Sequence, residues 1–153
     1  MFVDDEPDVL AALRRGLRTR RDSWRMDFQL SAHEALESVR SDPPAVAILD
    51  IRMPEMSGLD LAREIRATSA ETQCLILLGS TDFSLAVASL NDGNVFRYYM
   101  KPCEFGDLTS GIEDALRRHR ARSAELAPPG ISPSQMALEI IHYGVIVVDG
   151  KAQ

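Results

Sequence analysis

What most constrains this chain is an alternation in its sequence. Short apolar runs and amphipathic stretches of helical periodicity follow one another five times. Phe2-Val3 opens a first strand that ends at Asp4-Asp5. Pro7 falls where a first helical turn accepts proline, and Val9, Leu10, Leu13 and Leu17 follow at helical spacing. Trp24, Met26 and Phe28 alternate with Arg25, Asp27 and Gln29, which predicts a half-buried second strand. Ser31-Ala32-His33-Glu34 is a capping box, opening a helix with Ala35, Leu36 and Val39 inward, and Pro43-Pro44 stop it. Residues 45–49 are apolar without a break, as a central parallel strand covered on both faces requires.

The second half repeats the scheme. A loop from Arg52 to Gly58 leads to a third helix carrying Leu61, Ala62 and Ile65. Residues 74–78 predict a fourth strand, and residues 83–90 a fourth helix that Asn91-Asp92-Gly93 ends. Residues 95–100 predict a fifth strand, broken by Lys101-Pro102. Phe105, Leu108, Ile112 and Leu116 mark a fifth helix. Strands alternating with helices of about 10–15 residues make a parallel sheet wrapped on both sides. The expected fold is therefore α/β: a flavodoxin-like, doubly wound (βα)5 sheet of five parallel strands.

This pattern predicts one domain over residues 1–124, a Pro-rich linker at 125–134 and a short helix–strand tail at 135–153. The tail helix would span residues 136–142 and its strand residues 145–148. Seventeen basic against 23 acidic residues give a net charge of −6, which argues against nonspecific nucleic-acid binding by the surface. Cys74 and Cys103 are too few for a disulfide framework, and reduced thiols in a cytoplasmic protein are the simpler expectation. No apolar run approaches the roughly 20 residues that span a bilayer, and the first residues carry no secretory pattern.

In an open parallel sheet, ligands gather at the carboxyl ends of the strands. Here those ends carry Asp4 and Asp5 on strand 1 and Asp50 on strand 3. Strand 4 ends in Leu78-Gly79-Ser80-Thr81, and strand 5 in Lys101, the one lysine that precedes the tail. Two carboxylates 4 Å apart repel by about 1 kcal/mol in water and about 4 kcal/mol at an effective dielectric of 20. A hard divalent cation such as Mg²⁺ offsets this, taking carboxylates, a backbone carbonyl and waters. Such an ion also binds phosphoryl oxygens, Asp50 is placed to attack phosphorus, and Lys101 would pair with the transferred group. Any one of these residues alone reads as a helix cap or a surface charge. All four on one crevice read as a phosphoryl site.

These residues also carry a family signature. Val3-Asp4-Asp5-Glu6-Pro7, Leu49-Asp50-Ile51-Arg52-Met53-Pro54-Glu55-Met56-Ser57-Gly58 and Phe96-Arg97-Tyr98-Tyr99-Met100-Lys101-Pro102 resemble the response-regulator receiver domain of two-component signalling, over residues 1 to about 124. The stretch from Asn91 to Tyr98 is similar to a subgroup often joined to cyclic-dinucleotide phosphodiesterase or other signalling modules. The resemblance implies a signalling phosphoacceptor rather than an enzyme. In it Asp50 is the phosphoacceptor, Asp4 and Asp5 hold Mg²⁺, and Arg52 lends the metal its backbone carbonyl. Lys101 binds the phosphoryl group, with the Lys101–Pro102 bond cis. The implied partner is a histidine kinase or phosphotransfer protein, and the output face is helix 4, strand 5 and helix 5, through which a homodimer is also expected. No membrane and no direct nucleic-acid contact are expected within this chain.

Several positions leave alternatives open. Tyr98 falls on the family's aromatic switch position, and equally reads as a partly buried strand aromatic. Leu78 falls where the family carries a Ser or Thr hydroxyl, next to Gly79. Ser80, two residues on, would take that slot if the register slipped by two. Leu78 motivates a second reading, a phosphorylation-independent pseudo-receiver that only docks partners. A haloacid-dehalogenase-type phosphatase wants a second Asp two residues after the nucleophile, where this chain has Arg52. His33, His119 and His142 show no metal-ligand spacing. Arg117, Arg118, Arg120 and Arg122 read as cations complementing a helix C-terminus rather than as a nucleic-acid patch. Residues 144–151 weakly resemble the first strand of a PAS sensor domain, and read equally as a strand that adds to a sheet edge.

Overall fold

A computed structural model describes residues 1–126. The linker and tail expectations from residue 127 onward lie outside the described residues. Five parallel strands form one sheet: β1 Phe2–Val3, β2 Phe28–Gln29, β3 Val46–Asp50, β4 Gln73–Leu78 and β5 Arg97–Met100, in the order β2-β1-β3-β4-β5. Five α-helices connect and cover them: α1 Pro7–Gly16, α2 Ala32–Ser41, α3 Gly58–Thr68, α4 Phe83–Ala88 and α5 Phe105–Glu125. The strand order reverses between β1 and β3, which is where such a sheet opens a crevice at its carboxyl edge.

The period-2 alternation of the strands sorts the core into two layers. Phe2, Val46, Ile48, Leu75 and Leu77 pack with Leu10, Leu13 and Leu17 of the α1 region and with Leu108, Ile112 and Ala115 of α5. Val3, Ala47, Leu49, Cys74, Ile76 and Leu78 pack with α2, α3 and Ala86 of α4. Both faces of β3 and β4 are therefore covered, which accounts for their unbroken apolar sequence. Each fully buried Leu, Ile or Val side chain contributes about 1.5–3 kcal/mol. At the helix starts, the Ser31 Oγ accepts the Glu34 N–H at 3.1 Å, and the Ser57 Oγ accepts the Asp60 N–H at 3.1 Å.

Several elements differ from the sequence expectation. The second strand shrinks to Phe28–Gln29, because a 3₁₀ turn at Arg18–Arg20 and the turn that follows carry Trp24 inward, where Arg20 lies over its ring at 5.4 Å. The alternation of Trp24 and Met26 thus serves a folded connection, and of the three apolar residues only Phe28 lies in the strand, stacked on Phe2 at 5.0 Å. Helix α4 stops at Ala88 rather than at residue 90. There the Ser89 hydroxyl donates to the Leu85 carbonyl at 2.8 Å, and the backbone passes to tighter turns up to Gly93, whose φ is +73°. The fifth strand starts at Arg97, although the Phe96 N–H already donates to the Cys74 carbonyl at 2.7 Å. Helix α5 runs through Glu125, one residue past the boundary expected at 124.

Candidate functional site

The carboxyl ends of β1, β3 and β5 meet as the topology requires. The Lys101 Nζ donates to the Asp4 Oδ2 and to the Asp50 Oδ1, each at 3.0 Å. Asp4 is buried, and its other oxygen accepts the Glu6 N–H at 2.9 Å, which fixes the turn into α1. Asp50 ends the central strand and is 6% exposed, while Asp5 is only partly buried. Asp4, Asp5 and Asp50 each present an oxygen within 4.8 Å of the others.

Three carboxylates against one ammonium leave two negative charges in one crevice. Burial holds the Asp50 carboxyl above its ordinary range. The Lys101 hydrogen bond opposes that shift, and the charges of Asp4 and Asp5 add to it. Burial works against the charge on Lys101, but its hydrogen bonds to Asp50 and Asp4 prevail and hold its pKa above the ordinary value. An all-oxygen donor set with two uncompensated charges fits a hard divalent ion such as Mg²⁺, and fits soft metals poorly.

Glycine is required beside this site. A Cβ on Gly58 would lie 2.3 Å from the Asp50 carbonyl oxygen, so only glycine lets α3 start directly beneath the end of β3. The Gly58 N–H donates to the Ile51 carbonyl at 2.9 Å and closes the loop that carries Arg52. The Lys101–Pro102 peptide bond is cis, and the Lys101 N–H donates to the Leu78 carbonyl at 2.7 Å.

Leu78 is the last residue of β4, pairs with Met100, and is 3% exposed within the layer that holds Ala86. Gly79 follows the strand, and Ser80 and Thr81 lie exposed in the loop beyond it. Tyr98 is partly buried against the same layer, and its hydroxyl donates to the Ser89 carbonyl at 3.3 Å, tying β5 to the end of α4. His33 is exposed, 3.3 Å from Glu37 on the same helix.

The structure adds one residue that sequence reasoning missed. Asp82 is 3% exposed, accepts the Gly79 N–H at 2.9 Å and pairs with the Arg52 Nε. Burial alone would push its carboxyl up. The Arg52 hydrogen bond and the Gly79 N–H outweigh burial and bring it below its ordinary range. An Asp preceding a helix reads from sequence as a helix cap, and nothing local announces a partner 30 residues earlier.

Known proteins are similar to this chain. The family model of the response regulator receiver domain matches residues 1–113. The chain is 32% identical to response regulator MprA of Mycobacterium ulcerans over 127 residues, 83% of this chain and 53% of that protein. It is 31% identical to the transcriptional regulatory protein KdpE of Mycobacterium tuberculosis over 146 residues, 95% of this chain and 62% of that protein. The chain thus spans between about half and three fifths of these curated relatives. A receiver domain structure from Clostridium thermocellum is similar at 28% identity with a TM-score of 0.71, covering 78% of this chain and 94% of that one. This chain belongs to the receiver-domain family of two-component response regulators. Such domains act in signalling, receiving phosphate from histidine kinases and holding Mg²⁺ in an acidic pocket. Among the described residues, no helix is long and apolar enough to cross a membrane.

Proposed function

We propose that Asp50 accepts a phosphoryl group from the phosphohistidine of a histidine kinase or phosphotransfer protein, and that the chain relays this change through α4, β5 and α5. The observation that carries the reading is the placement of Asp50. It ends the central strand with its carboxylate held at 3.0 Å by Lys101, beside two further carboxylates. Asp4, Asp5, Asp50 and the Arg52 backbone carbonyl would hold Mg²⁺, which neutralises charge on the incoming phosphoryl oxygens.

The residues of the chain divide the remaining work. Burial of Asp50 limits water around the nucleophile. Lys101 already spans Asp4 and Asp50, so its ammonium can follow the phosphoryl group as charge builds there. Tyr98, hydrogen-bonded to the Ser89 carbonyl, links the β5 end of the site to α4. Phe83 and Val87 on α4, Leu90 just beyond it and Met100 on β5 are exposed apolar residues, which suits a face that meets a partner or a second copy. Residues 1–124 serve as the receiver unit.

Leu78 favours a second reading, a pseudo-receiver whose docking does not depend on phosphorylation, since no hydroxyl closes β4. Incubation with Mg²⁺ and acetyl phosphate separates the two when intact mass is read with and without a chelator. Uptake of one phosphoryl group that the chelator abolishes supports the receiver reading. No uptake under either condition supports the docking module.

A further inference from the structure

The bond between Arg52 and Asp82 crosses from the β3–α3 loop to the β4–α4 loop, and neither end lies where its residue type would ordinarily be spent. Asp82 stands at the N-cap of α4, a position where Asp normally accepts N–H groups from the first helical turn. Its side chain makes no cap bond. The carboxylate turns back to the Gly79 N–H at 2.9 Å and to the Arg52 Nε. The Arg52 guanidinium, two residues after Asp50, is 64% exposed in its side chain, whereas that of Asp82 is 4% exposed. One end of the bridge is thus fixed and the other is free to leave.

We propose that Arg52 is a positioning residue that exchanges partners, pairing with Asp82 in the resting chain and with the phosphoryl group once Asp50 carries it. This deepens the reading of Asp50 as phosphoacceptor and rests on it. The forked guanidinium matches phosphoryl oxygens better than it matches a single carboxylate oxygen, and the phosphoryl group carries the larger charge. Leu78 gives the exchange its purpose. With an apolar side chain closing β4, no hydroxyl there reports the state of Asp50 to the loop that follows. Arg52 reports it from the neighbouring loop instead. When it departs, Asp82 is left to cap α4, and Gly79 loses a partner held by two loops.

The exchange makes a prediction that a merely structural bridge does not. Binding free energies are reciprocal, so whatever holds Arg52 on Asp82 weakens the phosphoryl group's hold on Arg52. Beryllofluoride with Mg²⁺ serves as the phosphoryl probe. Its affinity is read by NMR titration from the amides of Asp50 and Lys101, and the Arg52 Nε–H resonance reports its partner. Asp82→Asn should tighten beryllofluoride binding about fivefold or more, and Arg52→Ala should weaken it by a similar factor. Adding Asp82→Asn to Arg52→Ala should then change nothing, which separates exchange from a simple loss of negative charge near the site. The wild-type Arg52 Nε–H signal should move as the probe saturates. The exchange is overturned if both single variants shift affinity in the same direction, or if Asp82→Asn acts equally with and without Arg52. If the amides of Asp50 and Lys101 do not respond in the wild-type chain, the phosphoacceptor reading itself fails, and the exchange fails with it.

Discussion

Replacing Leu78 with threonine should weaken the fold and strengthen the signal at once. Leu78 is 3% exposed at the end of β4, within the layer formed with α3 and Ala86. Leu78→Thr removes roughly two buried methylene equivalents, at about 0.8 kcal/mol each. It also buries a hydroxyl, which costs about 1–3 kcal/mol where it finds no partner. The resting protein should therefore lose about 3–5 kcal/mol, a large share of the 5–15 kcal/mol of a typical domain. With a phosphoryl group on Asp50 the balance changes. A hydroxyl donating to a charged oxygen is worth about 1.5–3 kcal/mol, or about tenfold to a hundredfold in the equilibrium between resting and active loops. Urea unfolding measures the first effect. Amide chemical shifts of residues 96–100, with and without beryllofluoride, measure the second. The shifts should be small in the wild-type chain and several times larger in Leu78→Thr. Large and equal shifts in both would mean that Ser80 or Thr81 supplies the hydroxyl.

Other consequences follow from particular contacts. Asp5→Ala removes one of three carboxylates whose oxygens lie within 4.8 Å, so Mg²⁺ titration should show strongly reduced binding, whereas unchanged binding would make the pair structural. Gly58→Ala forces a Cβ to 2.3 Å from the Asp50 carbonyl oxygen, and urea unfolding should show a loss of about 1–3 kcal/mol or more. Asp92 is held below its ordinary range by hydrogen bonds from Arg63 and then Asn94, so its stabilisation is full above the unfolded value of 3.8 and is lost as pH falls through the lower folded value. The stability difference between wild type and Arg63→Gln should therefore be present at pH 7 and vanish in acid below 3.8.

The parts of this molecule legible from its sequence are those that physics encodes locally or through topology. The runs of β3 and β4 are apolar because both faces are covered. The alternation of strands with helices forces a parallel sheet, and a parallel sheet forces Asp4, Asp5, Asp50 and Lys101 to one edge. Their convergence is thus a consequence of strand order rather than of any one motif. What was not legible depends on partners distant in sequence. Trp24 alternates as a strand residue does, but Arg20 and the 3₁₀ turn bury it outside the sheet. Ser89 draws α4 short through a side-chain bond to Leu85 that hydrophobic spacing does not register. Asp82 reads as a cap, and only the approach of two loops reveals that its carboxylate faces Arg52 and Gly79 instead. The glycine at position 58 is visible in the sequence, while its reason, the Asp50 carbonyl pressed against it, is not.

Phosphoryl transfer to Asp50 is the step on which the signal depends. The most direct measurement is intact mass after incubation with Mg²⁺ and acetyl phosphate, for the wild-type chain and Asp50→Asn side by side. The wild type should gain one phosphoryl group and the variant none. Labelling that persists in Asp50→Asn would contradict the role of Asp50 as acceptor.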